Sequence, residues 1–341
     1  MKAIGYSQSL AIGEPLSLID IELPQPTASG FDLLVRVKSI AVNPVDCKIR
    51  QNVEPENGEH KVLGWDAVGE VVAIGASVSN FKPGDMVFYA GDLNRQGSNA
   101  EYQIVDERIV GKKPKSLSAS EAAALPLTAI TAWELLFERL GIASQQPDSS
   151  ERSNDVILIV GAAGGVGSVL VQLASTLTGA TVIGTASRTS STEWVKKLGA
   201  DHVIDHTKSL PEQIEQLNIG QVTHVASLTH TDSYLESYVE LLAPMGKIAL
   251  IDDPKAIDIS KLKQKSLSLH WEFMFTRSMF ETKDMNKQHQ LLNKISELVD
   301  QGYIQTTIGQ NLGAINAENL KRAHGFIESG KSIGKVVLEG F

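Results

Sequence analysis

Residues Asp155–Thr178 read DVILIVGAAGGVGSVLVQLASTLT, and this stretch decides the fold. Val156–Val160 is a short apolar run with the length and β-branched content of a buried strand. Gly161, Gly164, Gly165 and Gly167 follow at once, and then Val166, Leu170, Leu173 and Leu177 recur at three- and four-residue steps, one apolar stripe on a helix. The unit is strand, glycine turn, helix. Glycines turn the chain sharply, let the backbone approach a pyrophosphate with no Cβ in the way, and let helix and strand pack closely. The free amides at the helix start then face an anion. Gly161, Gly164, Gly165, Val166 and Gly167 are therefore predicted to bind a dinucleotide.

In such a unit the end of the second strand meets the adenosine ribose about 20 residues past the glycine turn, where NAD sites place an acid. Here Thr181–Thr185 reads as that strand, and Ala186-Ser187-Arg188 follows it. A hydroxyl and a cation stand where a carboxylate would be. Guanidinium pairs with phosphate through charge-assisted hydrogen bonds, so Ser187 and Arg188 suit the 2′-phosphate of NADP. The alternative for Arg188 is a solvated side chain at a strand end. His206 is a candidate for the same end of the cofactor and reads equally as a surface histidine.

The rest of the composition narrows the class. A chain of 341 residues with 42% apolar and 21% charged residues has room for two domains and a sizeable core. A net charge of −9 argues against general nucleic-acid binding or an acidic membrane surface. Cys47 is the one cysteine, which excludes an intrachain disulfide and a multi-cysteine zinc lobe. Met1–Gly13 has no basic start followed by a long apolar stretch, and no window approaches the roughly 20 apolar residues of a membrane span. The expectation is a soluble, cytoplasmic protein.

Before the glycine unit the chain reads β-rich. Phe31–Val42 alternates as a half-buried strand, and Ala67–Ile74, Met86–Tyr89 and Glu101–Val105 are further candidates between turn signals. Ser118 and Glu121 are spaced as a capping box, and a helix over Ala129–Leu140 follows Pro126. Gln145–Asn154 reads as an exposed loop. Beyond Val156, strands and helices alternate, which predicts an α/β doubly wound parallel sheet. Helices are expected over Thr192–Leu198 and Asn286–Asp300, and strands at His202–Ile204, Val222–Ser227, Lys247–Ile251, Leu267–Phe275 and Lys335–Leu338, the last returning to the first domain.

Five motifs carry a resemblance: GAAGGVG at the turn, NPVDCK at Asn43–Lys48, LGWDAVGEVVAIG at Leu63–Gly75, FKPGDMV at Phe81–Val87 and LPLTAITAWELL at Leu125–Leu136. Together they resemble the medium-chain dehydrogenase/reductase superfamily. Within it the chain is similar to the zinc-independent quinone and enone reductases related to zeta-crystallin, and to a group labelled zinc-type alcohol dehydrogenase-like. The resemblance implies a GroES-like catalytic domain from residues 1–127 and 276–341, a Rossmann domain over 128–275, a cofactor cleft at their junction, and a homodimer paired through the apolar stretch Leu267–Phe275.

Zinc-dependent members have cysteine where this chain has Asn43, glycine-histidine-glutamate where it has Gly64-Trp65-Asp66, and a further cysteine near Leu125–Thr128. With none of these ligands present, a metal-free site is expected, and Cys47 reads as a packed thiol. The match also implies that Asn43 and Lys48 hydrogen-bond the nicotinamide half or the substrate oxygen, that Asp46 orients their loop, and that Thr128 touches nicotinamide. Tyr89, Asn94, Trp271, Phe273 and Met274 are candidate substrate-pocket residues, each equally readable as core. Asp252 and Asp253 follow a late strand and read as cleft-lining or as a plain turn.

Without a metal no Lewis acid polarises a simple carbonyl. Hydride addition to the β-carbon of a conjugated enone or quinone needs only donors for the oxygen that gains charge. The expected function is thus NADPH-dependent reduction of a small quinone or α,β-unsaturated carbonyl. The alternatives are an alcohol dehydrogenase and, in another class, an NADPH-binding sensor or nucleic-acid binder.

Overall fold

The computed structural model describes residues 1–56 and 58–341. They form two compact units, Met1–Ile130 with Phe275–Phe341, and Thr131–Met274.

The second unit is built on the predicted strand. Val156–Val160 is buried at every position and lies inside a six-stranded sheet in the order His202–Ile204, Thr181–Thr185, Val156–Val160, Val222–Ser227, Leu242–Leu250, Ser268–Trp271. Every neighbouring pair is parallel. A strand with partners on both sides and helices over both faces has no solvent-facing residues, which is why it reads as an unbroken apolar run. Leu158, Val160, Val225 and Ile248 join Tyr238 and Leu210 in the core on one side of it.

Four boundaries here differ from expectation, the first being the strand expected over Lys247–Ile251, which runs Leu242–Leu250. The helix after the second strand spans Thr189–Lys197, because Arg188 N donates to Ser191 Oγ (3.2 Å) and caps it earlier than Thr192. The helix expected over Ala129–Leu140 is an α-helix over Pro126–Trp133 that widens into a π-helical turn over Glu134–Arg139. The edge strand is only Ser268–Trp271, since Glu272 next to it carries its carboxylate inward to Arg139 Nε (2.9 Å). The π-turn brings Glu134 to the same guanidinium, at 3.8 Å.

In the first unit the eleven-residue strand Asp32–Val42 is the organiser. It pairs antiparallel with Ala67–Ile74, with Tyr102–Asp106 and with Lys335–Glu339, so the end of the chain does return to this unit. The sheet continues outward to Ile308–Asn311 on one side and to Met86–Tyr89 and Val110–Lys112 on the other. A smaller sheet joins Lys2–Tyr6 to Ile19–Glu22 and Lys61–Val62. The Ser118–Glu121 capping box forms, and the helix Lys287–Asp300 buries Leu291, Leu292, Ile295 and Leu298. Asn43–Lys48, expected as a loop, instead starts the helix Pro44–Asn52. Proline at the first helical position costs no hydrogen bond, and the Asp46 carboxylate accepts from Asn43 N (2.8 Å).

That helix docks through Arg50, which is fully buried. Its guanidinium donates to Leu10 O and Glu328, and its Nε reaches His324 Nδ1 at 3.4 Å. Cys47, His324 and Glu328 gather ligand atoms within 4.8 Å of one another. Arg50 already supplies the cation there, and burial pushes the Cys47 thiol upward, away from the thiolate a metal requires. No described helix is long and apolar enough to cross a membrane.

The Glu134–Glu272 pair generates a pH dependence. Burial first, and then the Glu134 charge, push Glu272 from its ordinary 4.5 to about 9, against the pull of Arg139. The folded chain thus keeps a proton that the unfolded chain releases, and stability falls as pH rises from 4.5 through about 9. The melting temperature should drop across this window, and Glu272→Gln, followed by circular dichroism, should flatten the drop.

Candidate functional site

The glycine turn has the backbone that its sequence predicts. Gly161 has φ +87°, a region open to glycine, and its N–H donates to Thr185 Oγ1 at 3.1 Å, tying the turn to the end of the second strand. At Gly167 a Cβ would lie 2.4 Å from Gly161 O and 2.6 Å from Ala162 Cα, so only glycine lets helix and turn touch there. Helix Gly165–Leu177 starts directly from this turn with Gly164 as its N-cap. Ser168 holds the first turn, donating to Gly164 O (2.7 Å) and accepting from Trp194 Nε1 (2.8 Å). The result is a glycine turn that leads straight into the N–H groups of a helix start, the arrangement that suits a pyrophosphate. Ser187 and Arg188 are exposed at the end of the neighbouring strand, and His206 is half-buried, its carbonyl accepting from Tyr234 Oη (3.3 Å). Asp252 is engaged within this unit by Thr231, through both backbone N–H (2.8 Å) and hydroxyl.

In the first unit a polar cluster sits where the sequence showed only separate motifs. Asn43 is 1% exposed, and its Nδ2 donates to Asp66 Oδ2 (2.8 Å) while its Oδ1 accepts from Lys335 Nζ. Asp66 is fully buried. Its other oxygen accepts from Leu127 N (2.7 Å), and Lys335 Nζ lies 3.0 Å from Oδ2. Lys335 also donates to Val42 O at 3.1 Å. Burial pushes the Asp66 carboxyl up while the Lys335 charge opposes it, and burial likewise lifts Asp46 to about 7 against its bond from Asn43 N.

The structure thus brings Asn43, Asp46 and Asp66 together and leaves Lys48 exposed on the outer side of the same helix. Thr128 is 1% exposed and donates within its own helix, to Leu125 O at 3.0 Å. Of the pocket candidates, Tyr89 and Met274 are packed inside their units, whereas Asn94, Trp271 and Phe273 are exposed. Asn94 Nδ2 donates to Met279 O at 3.2 Å. The sequence reading missed Lys335, Asp66 and Thr185. The one available signal was a lysine heading the apolar run Val336–Leu338 of the strand KVVLE.

Two family models match: "Alcohol dehydrogenase GroES-like domain" over residues 29–115 and "Zinc-binding dehydrogenase" over 198–338. A zinc-type alcohol dehydrogenase-like protein of Staphylococcus aureus is 42% identical over 339 residues, 99% of either chain. The 2-methylene-furan-3-one reductase of Solanum lycopersicum is 30% identical, over 99% of this chain and 79% of its own length. A crystal structure from Rhizobium etli, named for a zinc-dependent alcohol dehydrogenase, superposes with a TM-score of 0.95 at 52% identity, over 100% of this chain and 98% of that one.

The zinc in those names does not fit this donor set. Asn43 spends both ends of its amide on Asp66 and Lys335, and an ammonium already faces its oxygen. Trp65, in the histidine position, is buried and donates to Asp92 O (3.2 Å), with no lone pair to offer. Leu125–Thr128 holds no cysteine. The matched domains, the parallel sheet with its glycine turn, and identity along nearly the full length nonetheless agree: the chain belongs to the medium-chain dehydrogenase/reductase superfamily of NAD(P)H-dependent oxidoreductases.

Proposed function

We propose that the protein is an NADPH-dependent reductase of quinones or α,β-unsaturated carbonyls that works without a metal. The observation that carries this reading is the engagement of Asn43 and Trp65 inside the first unit, which takes the positions of the family's zinc ligands out of use for a Lewis acid. The relative from Solanum lycopersicum supports it, since the compound in its name is a ketone conjugated to an exocyclic C=C.

Bound NADPH would supply the hydride. On this reading the turn Gly161–Gly167 takes the pyrophosphate on backbone N–H groups, and Ser187 and Arg188 take the 2′-phosphate, with His206 alongside. Lys48 donates to the substrate oxygen as it gains negative charge, where a positioned donor is worth most. Asn43 acts by holding the start of the helix that carries Lys48, its own amide being spent on Asp66 and Lys335. A second copy of the chain is expected to pair along the edge strand Ser268–Trp271, where Trp271 and Phe273 are 54% and 46% exposed.

Three measurements test the reading. Arg188→Ala should weaken NADPH binding about 10- to 100-fold, the equivalent of one charge-assisted hydrogen bond, and leave NADH binding nearly unchanged. In a turnover screen with NADPH, quinones and enones should outpace simple alcohols and aldehydes, and Lys48→Ala should lower kcat about 100-fold with little effect on NADPH binding. Ethanol-type alcohols turning over faster than every enone would favour an alcohol dehydrogenase instead. Light scattering at micromolar concentration should give the mass of a dimer, and a monomer would reject the edge pairing.

A further inference from the structure

Four stretches far apart in sequence converge on one carboxylate and one ammonium. Asn43 follows the strand Asp32–Val42 and caps the helix Pro44–Asn52, and Asp66 precedes the strand Ala67–Ile74. Leu127 lies in the first turn of the helix Pro126–Trp133, and Lys335 opens the strand Lys335–Glu339. Asp66 Oδ1 receives Leu127 N at 2.7 Å, and Oδ2 receives Asn43 Nδ2 at 2.8 Å and faces Lys335 Nζ at 3.0 Å. Lys335 is 3% exposed and also holds Val42 O (3.1 Å) and Asn43 Oδ1. The Asn43 amide has a cation at its oxygen and an anion at its nitrogen, so only one of its two flips satisfies the network.

Stability alone does not account for such a pair. Well-packed apolar residues of similar volume often match or exceed a buried ion pair, because desolvation offsets the Coulombic gain. What the pair adds is direction, since every member of a satisfied buried network is held in one arrangement. The segments so held are the starts of the helix bearing Lys48 and of the helix bearing Thr128.

We infer that Asp66 and Lys335 are a positioning pair: held in place by Leu127 N, they fix through Asn43 the first turn of the helix Pro44–Asn52 and so aim Lys48 at the substrate oxygen. The inference rests on the role proposed above for Lys48, and neither residue touches substrate. The pair works as a clamp with one charge from each of the two segments that build the first unit.

The test uses the full-length chain with Lys335→Met, Asp66→Asn and the double variant. Cys47, the one cysteine, lies on the helix in question, is 4% exposed, and reports its local opening through the rate of reaction with Ellman's reagent. Lys335→Met leaves a buried carboxylate without its partner and should lower the melting temperature, and the double variant, with neither charge, should recover most of the loss. If the pair aims the helix, recovery of stability is not recovery of aim. The double variant should still label Cys47 about 10- to 100-fold faster than wild type, and its kcat should remain about 10- to 100-fold down while KM for NADPH stays within about threefold. A double variant with wild-type labelling and wild-type kcat would make the pair mere charge compensation and overturn the inference. So would fast labelling with unchanged kcat. Should wild type reduce no quinone or enone, the reading of the reaction fails separately, and the labelling rate alone then decides: fast labelling in the double variant supports the clamp, and a wild-type rate rejects it.

Discussion

A carboxylate with no access to water must be answered by groups that the fold brings to it, and Asp66 is that carboxylate here. It is fully buried and answered by Leu127 N, Asn43 Nδ2 and Lys335 Nζ. Each partner comes from a different element, so all must be in place before the charge is compensated. The C-terminal strand is thereby tied to the start of the chain by more than its ladder with Asp32–Val42. Arg50 repeats the logic at the far end of the helix Pro44–Asn52, where a buried guanidinium is satisfied by Leu10 O, His324 and Glu328. The helix is pinned at its start through Asn43 and at its end through Arg50. Its side chain Lys48 lies between two fixed points, which is what a group needs if it is to act at a defined place.

The second unit depends on steric rather than ionic constraint. Gly161 occupies a positive φ, and any side chain at Gly167 would run into the backbone of Gly161 and Ala162. These requirements are local in sequence, which is why the turn and its flanking strand and helix were legible from Asp155–Thr178 alone. The same holds for Thr181–Thr185, Val222–Ser227 and the capping box at Ser118, where pattern and structure agree nearly to the residue. Local rules went astray at the starts of the helices Thr189–Lys197 and Pro44–Asn52, where short-range caps decide, and also where a distant partner intervened. The edge strand stops at Trp271 because Glu272 is drawn to Arg139, and the helix widens into a π-turn at Glu134 on the same guanidinium. Glu272 and Arg139 lie far apart in sequence, so no local window holds that pairing, and the nearby Glu134–Arg139 pair gains its meaning only once Glu272 shares the guanidinium.

The candidate residues of the two units divide along the same line. In the second unit the glycines with Ser187 and Arg188, proposed for the cofactor, are contiguous enough to read from spacing. In the first unit the cluster around Asn43 is signalled by motif resemblance, and its chemistry was only partly legible. Motifs placed Asn43 and Lys48 side by side, as two donors of one kind. The structure separates them, with Asn43 buried and spoken for on both sides of its amide and Lys48 exposed. What sequence spacing lacked was Lys335, which is 292 positions from Asn43 and has no neighbouring motif to announce it. A single lysine in an apolar strand reads as an edge charge until the strand is seen to end against two buried polar side chains.

The same geometry bears on the metal in the names of the relatives. A zinc site needs donors whose lone pairs converge on an open point, each otherwise uncommitted or held by groups behind it. Around Asn43 the convergence is reversed: lone pairs of Asn43, Asp66 and Val42 meet on the ammonium of Lys335, and the position of the family histidine holds an indole that can only donate. A compact cation at the end of a four-carbon stem satisfies three oxygens without any exchangeable ligand position, so it can organise the site but cannot polarise a substrate carbonyl by binding it. Charge stabilisation for the reaction must then come from donors that reach the substrate itself. Lys48, the donor proposed for that task, is an exposed cation on the helix this cluster holds. The proposed enone or quinone substrate suits such a site, because its own conjugation moves the charge to an oxygen that a single positioned donor can meet.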